Sequence, residues 1–304
     1  MSENNIKGTF RAGFVPIIGL PNAGKSTLMN QLCLSRLSII SDRPQTTRNN
    51  ILGILNGKNY QAVFVDTPGF LKARNLFEKN MEFSIKKAYT EDGDLCLLIS
   101  EPEIPPESKR RLFDSLKTVR GPVYLIINKM DTADRARAEE AAAYFQKEFP
   151  IEKTFFISAL SGNGVKELRE AVAKALPEHE PYYPPDQLSD RWERFFAAEI
   201  IREQIFRYYE QEIPYSSVVE IETYREHGDG PDEIFAAVHV SRESHKPIII
   251  GKGGRAIKLL RERSSKAIEQ FTGRPVSLRL QVKVSPKWQD DPEFLKAVGF
   301  YDKK

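Results

Sequence analysis

Short unbroken apolar runs at residues 14–18, 95–99 and 123–127 read as buried strands, and 155–157 as the last strand. Residues 49–55 and 60–66 read as two strands joined through Asn56-Gly57-Lys58-Asn59, a hairpin signal. Helical spacing follows the strands: Leu28, Met29 and Leu32 share one face of a helix over 27–34, 104–119 reads as a helix with proline near its start, and 165–176 as another. Strands alternating with helices predict an α/β fold, a doubly wound mixed sheet with one antiparallel strand.

Past residue 176 the pattern changes. Four prolines between Pro177 and Pro185 end the last helix and predict a stiff linker at 181–187, separating a domain at 1–180 from one at 188–304. A long helix is expected over 188–212, with Trp192, Phe195, Phe196, Ile200, Ile201, Ile205 and Tyr208 on a broad apolar face suited to a core. Residues 218–224 and 234–240 alternate around Gly228-Asp229-Gly230-Pro231 as antiparallel strands. A short helical stretch leads into Gly251-Lys252-Gly253-Gly254, a helix follows over 256–271, and 276–284 alternates as a third strand. This second half is α+β. Trp288 and a short helix within 290–300 either cap it or extend its surface.

Composition narrows the class. The chain has 304 residues, enough for two cores, with 40% hydrophobic and 29% charged residues, as in soluble globular proteins. No apolar run approaches the roughly 18 residues that span a bilayer. Residues 1–11 are polar and look like neither a signal nor a transit peptide, so a cytoplasmic location is expected. Cys33 and Cys96 are too few and too embedded in apolar segments for disulfides or a metal site, and His239 and His245 lack ligand spacing.

Charge is segregated. Residues 186–241 carry five Lys/Arg against thirteen Asp/Glu, whereas 242–287 carry twelve against three. A basic block inside a folded segment suits a polyanion or a solvated helix face.

The chemistry gathers at strand ends. Gly19-Leu20-Pro21-Asn22-Ala23-Gly24-Lys25-Ser26 stands between a strand and a helix with the G-x-x-x-x-G-K-S spacing of a phosphate-binding loop. Glycines let successive N–H groups turn inward, so Gly19, Asn22, Ala23, Gly24, Lys25, Ser26 and Thr27 are candidate phosphate contacts. Lys25 would reach the β- and γ-phosphates, and Ser26 would ligate Mg²⁺. The polar stretch 38–50, with Pro44-Gln45-Thr46-Thr47-Arg48, suits a mobile loop near the phosphates. Asp66-Thr67-Pro68-Gly69 closes the second hairpin strand: Asp66 can hold Mg²⁺ and the Gly69 N–H can meet a γ-phosphate. Asn128-Lys129-Met130-Asp131 selects the base. The Asp131 carboxylate matches the N1–H and 2-amino donors of guanine, and adenine would leave it unpaired. Asn128 would brace the loops, the Lys129 stem would cover the base, and Ser158, Ala159 and Leu160 offer N–H groups to the guanine oxygen.

In that order, and each at a strand end, these motifs resemble those of translation-factor-class small GTPases. The resemblance implies GTP and GDP as ligands with Mg²⁺ held by Ser26, Thr47 and Asp66, Thr47 being favoured over Thr46 by analogy with related T-R sequences. It also implies catalysis resting on Lys25, Thr47 and Gly69. One position departs from the Ras-like pattern: Phe70 stands where those proteins carry the Gln that orients the attacking water, so slow intrinsic hydrolysis is expected. Asn22 resembles the P-loop asparagine that binds K⁺ in several members, although a loop-stabilising hydrogen bond would serve equally well.

Helix, strand, strand, helix, G-x-x-G, helix, strand resembles a type II KH domain, whose glycine loop clamps single-stranded nucleotides. The resemblance implies RNA contacts from Ile250, Gly251, Lys252, Gly253, Gly254, Arg255 and Lys258. The two domains together, with Trp288-Gln289-Asp290-Asp291 and Gly299-Phe300 near the end, resemble bacterial GTPases of small-ribosomal-subunit assembly along essentially the whole chain. That implies small-subunit ribosomal RNA near its 3′ end and pre-30S or 30S particles as partners, peripheral association with the inner membrane, and no DNA. The rival readings are an RNA-binding or chaperone module with a vestigial nucleotide domain, and a P-loop ATPase.

Overall fold

The computed structural model describes residues 9–40, 43, 46–70, 72–90, 93–119 and 121–300. Of the expected loop at 38–50, residues 41, 42, 44 and 45 lie outside the described residues, as do residues 1–8. The chain divides into two compact units, one running to Asp190 and the other from Arg191, with Ile39–Thr46 and Lys72–Met81 clustering with the second.

The first unit is built on six strands: β1 (Arg11–Gly19), β2 (Ile51–Asn56), β3 (Tyr60–Asp66), β4 (Cys96–Ser100), β5 (Val123–Ile127) and β6 (Ile151–Phe156). Their order is β2-β3-β1-β4-β5-β6, and β2 alone is antiparallel to its neighbour. The hairpin forms as the Asn-Gly signal predicts, Gly57 N donating to Tyr60 O at 2.8 Å. Strands β4 and β5 are buried at every position, which is why they read as unbroken apolar runs.

Among the described residues, helices α1 (Lys25–Cys33), α2 (Leu76–Thr90), α3 (Glu107–Arg110), α4 (Arg135–Glu148) and α5 (Val165–Ala175) accompany this sheet. α1 and α5 pack together, while Ile85 and Tyr89 of α2 join Ala138, Ala141, Ala142 and Phe145 of α4 in one core against β4 and β5. Helices α2 and α4 are not among the elements expected from the apolar pattern, yet α4 carries its signal. Asp134 caps it by accepting from Ala136 N at 3.3 Å, and its buried alanines fall at helical spacing. The single helix expected at 104–119 is instead α3 followed by a 3-10 helix at Arg111–Thr118. Three residues per turn stack Phe113 directly on Leu116, and both are buried in the same core.

The proline-rich stretch runs along the edge of the first unit. Buried Gln61 accepts Tyr182 N at 2.8 Å and Tyr183 N at 3.0 Å and donates to Tyr183 O at 2.8 Å. Ile54 N donates to Leu188 O, and Ser189 Oγ to Leu52 O at 2.6 Å. Residues 188 and 189 therefore bond to the exposed edge of β2, and the helix expected from 188 starts later.

The second unit contains α6 (Glu193–Tyr208), α7 (Ile213–Ser216), β7 (Ser217–Arg225), β8 (Asp232–Val240), α8 (Lys246–Ile250), α9 (Arg255–Thr272), β9 (Val276–Val284) and α10 (Pro292–Ala297). β8 lies centrally, antiparallel to β7 and parallel to β9. Ile200, Ile201 and Ile205 of α6 and Leu260 and Ile268 of α9 share a core with Ile221, Ile234, Ala236 and Val238 of the sheet. The expected apolar face of α6 needs correction. Trp192 sits at the N-cap, 85% exposed, and Tyr208 is half-exposed under the Arg263 guanidinium, whereas Glu199, Arg202, Glu203 and Gln204 are buried. Arg202 neutralises Glu199 (Nε to Oε1, 2.8 Å), which lets this face leave water. At the end of the chain, Trp288 is buried and donates to Ser216 O at 3.0 Å, and Phe294 covers His239, so this segment caps the sheet.

Candidate functional site

β1 lies between β3 and β4, the point where chain connections depart in opposite directions and the strand ends open a crevice. The phosphate-loop motif leaves β1 there and enters α1. Gly24 has φ +100°, and a Cβ on it would collide with the Asn128 side chain, so only glycine fits. Asn22 also takes a left-handed φ of 65°, which asparagine tolerates. Ala23 is buried, and Ser26 and Thr27 are half-buried.

Lys25 is 6% exposed, and its ammonium donates to Leu20 O at 2.8 Å and Gly19 O at 3.3 Å. Burial brings its pKa down from 10.5 to about 8, against the raising influence of the Asp66 charge. Two carbonyls take two of its three hydrogens and leave its charge unneutralised by them, so an incoming polyphosphate gains a charge-assisted partner.

Beside it, Ser26, Thr47 and Asp66 converge. Ser26 Oγ donates to Asp66 Oδ2 at 2.7 Å and lies 2.8 Å from Thr47 Oγ1, which is 3.5 Å from the same carboxylate oxygen. Thr46 points elsewhere, donating to Arg43 O at 2.8 Å. Asp66 is fully buried, burial pushes its carboxyl up, and Oδ1 has no partner among the described residues. An orphaned buried carboxylate oxygen beside two hydroxyls is a fitting donor set for Mg²⁺, which takes few protein ligands and completes its shell with phosphate and water. Among the described residues there is no cluster of three or more His, Cys, Asp or Glu side chains that would favour another metal.

Gly69 lies against the phosphate loop: a Cβ there would stand 2.7 Å from Pro21 N, and Phe70 N donates to Gly19 O at 3.1 Å. The Phe70 ring turns into the core and meets Phe113 edge-on at 5.6 Å. It fills apolar space in the core.

At the base end, Asn128 Nδ2 donates to Ala23 O at 2.8 Å while its Oδ1 accepts Ala159 N at 2.8 Å. Lys129 takes φ 64°, with its ammonium paired to Glu101. Asp131 is exposed. Ser158 Oγ donates to its Oδ1 at 2.5 Å and accepts Ser161 N at 3.2 Å. Of the three N–H groups expected to face guanine, Ser158 N is bonded to Asn163 O and Ala159 N to Asn128, leaving Leu160 N, on a residue 77% exposed. Sequence reasoning missed Glu101; an acid directly after β4 was its signal.

In the second unit α8 ends at Ile250, and Gly251 turns the chain with φ +71°, its N donating to Pro247 O at 2.8 Å. A Cβ on Gly251 would lie 2.6 Å from the Ala256 Cβ. Gly253 and Gly254 also have positive φ, with open space around both. Lys252, Arg255 and Lys258 are exposed on this loop and on the first turn of α9, and Ile250 is half-buried beside them. The arrangement presents uncapped helix N–H groups, two glycines and three cations to one side.

Residues 14–129 match a family described as a 50S ribosome-binding GTPase, and residues 212–289 match the KH domain family. GTPase Era of Elusimicrobium minutum is 44% identical over 292 residues, covering 96% of this chain and 97% of the relative. That of Geobacter metallireducens is 41% identical, covering 99% and 100%. Two crystal structures share 34% identity and a TM-score of 0.90 over 96% of this chain and 99% of theirs: Era with MgGDPNP and nucleotides 1506–1542 of 16S ribosomal RNA, and a variant of Aquifex aeolicus Era bound to GDP·AlF4⁻. The doubly wound nucleotide unit, the glycine-loop α+β unit and identity running end to end place this chain in the Era family of GTPases.

Proposed function

We propose that the chain hydrolyses GTP in the first unit and uses its nucleotide state to govern binding of single-stranded ribosomal RNA, near the 3′ end of the small-subunit rRNA, by the second. The observation that carries the nucleotide reading is the Asn128 carboxamide, which ties the phosphate loop at Ala23 to the base loop at Ala159. Gly19 to Thr27 would wrap the phosphates, Lys25 would neutralise the β- and γ-oxygens, and Ser26, Thr47 and Asp66 would hold Mg²⁺, which supplies positive charge to the phosphoryl oxygens when bound. Gly69 N would meet the γ-phosphate, and Asp131, Lys129 and the Leu160 N–H would receive guanine. Asn22 would hold K⁺ beside the phosphates, a charge in the place of an arginine finger.

RNA would lie on Ile250 to Arg255 and Lys258, with the glycines letting its backbone approach the main chain. GTP would order the loop around Thr47 and the segment after Gly69, and hydrolysis would release them. The domain division is proposed at 1–180, 181–187 and 188–304, with the linker fastened to the first unit. No described helix is long and apolar enough to cross a membrane. The proposed setting is the cytoplasm, on pre-30S or 30S particles, with peripheral attachment to the inner membrane. A turnover and competition assay tests the reading: GTP but not ATP is consumed, Lys25→Ala abolishes turnover, and RNA affinity differs between GTP-analogue and GDP forms. Equal affinity in both forms would end the coupling claim.

A further inference from the structure

We propose a second contact site for single-stranded RNA on the open end of the second unit's sheet, taking one nucleotide with its base on Phe235 and its phosphate between Arg225 and Arg279. The inference rests on the RNA-binding reading above and adds a surface to it.

The sheet has two faces. Ile221, Ile234, Ala236 and Val238 face the helices. The opposite face carries two cross-strand rows, Thr223–Phe235–Arg279 and Arg225–Glu233–Ser277, set by the β7–β8 and β8–β9 registers. Farther along this face α10 covers the sheet, with Phe294 on His239 at 5.0 Å. Polar groups there are matched internally: Glu222 receives Gln281 and Lys283, and Glu220 receives His239. Among the described residues the two rows have no such cover. Together with Ile234 they line an open pocket of about 230 Å³, formed by Thr223, Arg225, Glu233, Phe235, Ser277 and Arg279.

Among the described residues neither Arg225 nor Arg279 has a carboxylate within 4.0 Å; the nearby Glu233 faces His227 at 3.8 Å instead. Two unmatched guanidiniums thus flank a half-exposed aromatic ring, with two hydroxyls beside them. Guanidinium forks fit phosphate, and an aromatic face takes any base. The pocket is smaller than the roughly 300–1,000 Å³ of small-molecule sites, which favours one unit of a polymer anchored elsewhere over a free cofactor. The glycine clamp supplies that anchor. It holds about four nucleotides, and a longer strand brings its next residues to this domain at high effective concentration. An acidic peptide would satisfy the arginines but leave the Phe235 ring uncovered.

The test uses the full-length protein with GTP analogue and two oligoribonucleotides of shared sequence. One is about five nucleotides long and matches the clamp alone; the other is a long fragment of the small-subunit rRNA 3′ end. Affinities are measured over a salt series for wild type, Arg225→Gln/Arg279→Gln and Phe235→Leu. Expected is a loss of about tenfold for both variants on the long RNA and none on the short one. The salt slope should shrink by about 0.7 per lost phosphate contact for the arginine variant only. Undiminished affinity for the long RNA, or an equal loss on both RNAs, overturns the proposal. So does a variant that keeps RNA affinity while losing affinity for phosphatidylserine-containing vesicles. If wild type binds neither oligonucleotide, the RNA-binding reading fails as well, which separates the two failures.

Discussion

The Asn128 side-chain nitrogen donates to the Ala23 carbonyl across 2.8 Å, while its oxygen holds the Ala159 N–H. Both partners are buried, so truncation strands two polar groups, at about 1–3 kcal/mol each. Asn128→Ala should weaken GDP and GTP binding by at least tenfold, and Gly24→Ala should do so through the collision of its Cβ with the same carboxamide. Asn128→Asp keeps the acceptor for Ala159 but sets an oxygen against Ala23 O, so it should not rescue. Nucleotide titration of the three variants checks this.

Lys25 gives a pH dependence. Its folded pKa of about 8 lies below the ordinary 10.5, so the unfolded chain binds more protons between these values. From this group alone the nucleotide-free protein therefore gains stability as pH rises from about 8 toward 10.5. In the proposed phosphate-binding role the Lys25 ammonium is what meets the nucleotide, so affinity should fall above pH about 8, by up to about tenfold per pH unit. Calorimetry in buffers of different ionisation enthalpy should show proton uptake on GDP binding at that pH, absent in Lys25→Ala.

Asp66 has the opposite sign from an ordinary paired carboxylate. Burial raises its folded pKa, so its contribution is present below 3.8 and lost as pH rises through the raised value. Mg²⁺ should reverse that loss. Asp66→Asn should leave the metal-free melting temperature equal or higher while removing the stabilisation that Mg²⁺ adds to the GDP complex, measured by melting with and without chelator.

Phe70 is a core side chain. Phe70→Ala should cost about 3–5 kcal/mol of stability through the cavity left beside Phe113. Phe70→Gln should lower stability without raising turnover, because the amide would enter the same apolar space. Single-turnover hydrolysis together with denaturant unfolding separates the two effects. A rate gain in Phe70→Gln would show that the side chain reaches the water.

Gly251→Ala should abolish RNA binding and leave nucleotide binding intact, because φ +71° and a 2.6 Å approach to Ala256 both reject a Cβ. Lys252→Gln should keep the loop, weaken binding modestly and cut the salt slope by about 0.7. Anisotropy with a short oligoribonucleotide reads both.

Periodicity and motif order alone determined a great deal. Unbroken apolar runs marked buried strands, and the Asn-Gly hairpin marked the one antiparallel pair. The glycine spacings marked turns in the left-handed region, at Gly24 and Gly251. Those features are local, so they are written in neighbouring residues. Only the fold decided the rest, because it depends on partners far apart in the chain. Thr47 was separated from Thr46 by the position of Ser26 and Asp66. The requirement for glycine at 24 comes from Asn128, more than a hundred residues on. Trp192 left the apolar face assigned to it because residues 188 and 189 bond to the edge of β2, and a chain held extended there cannot also be helix.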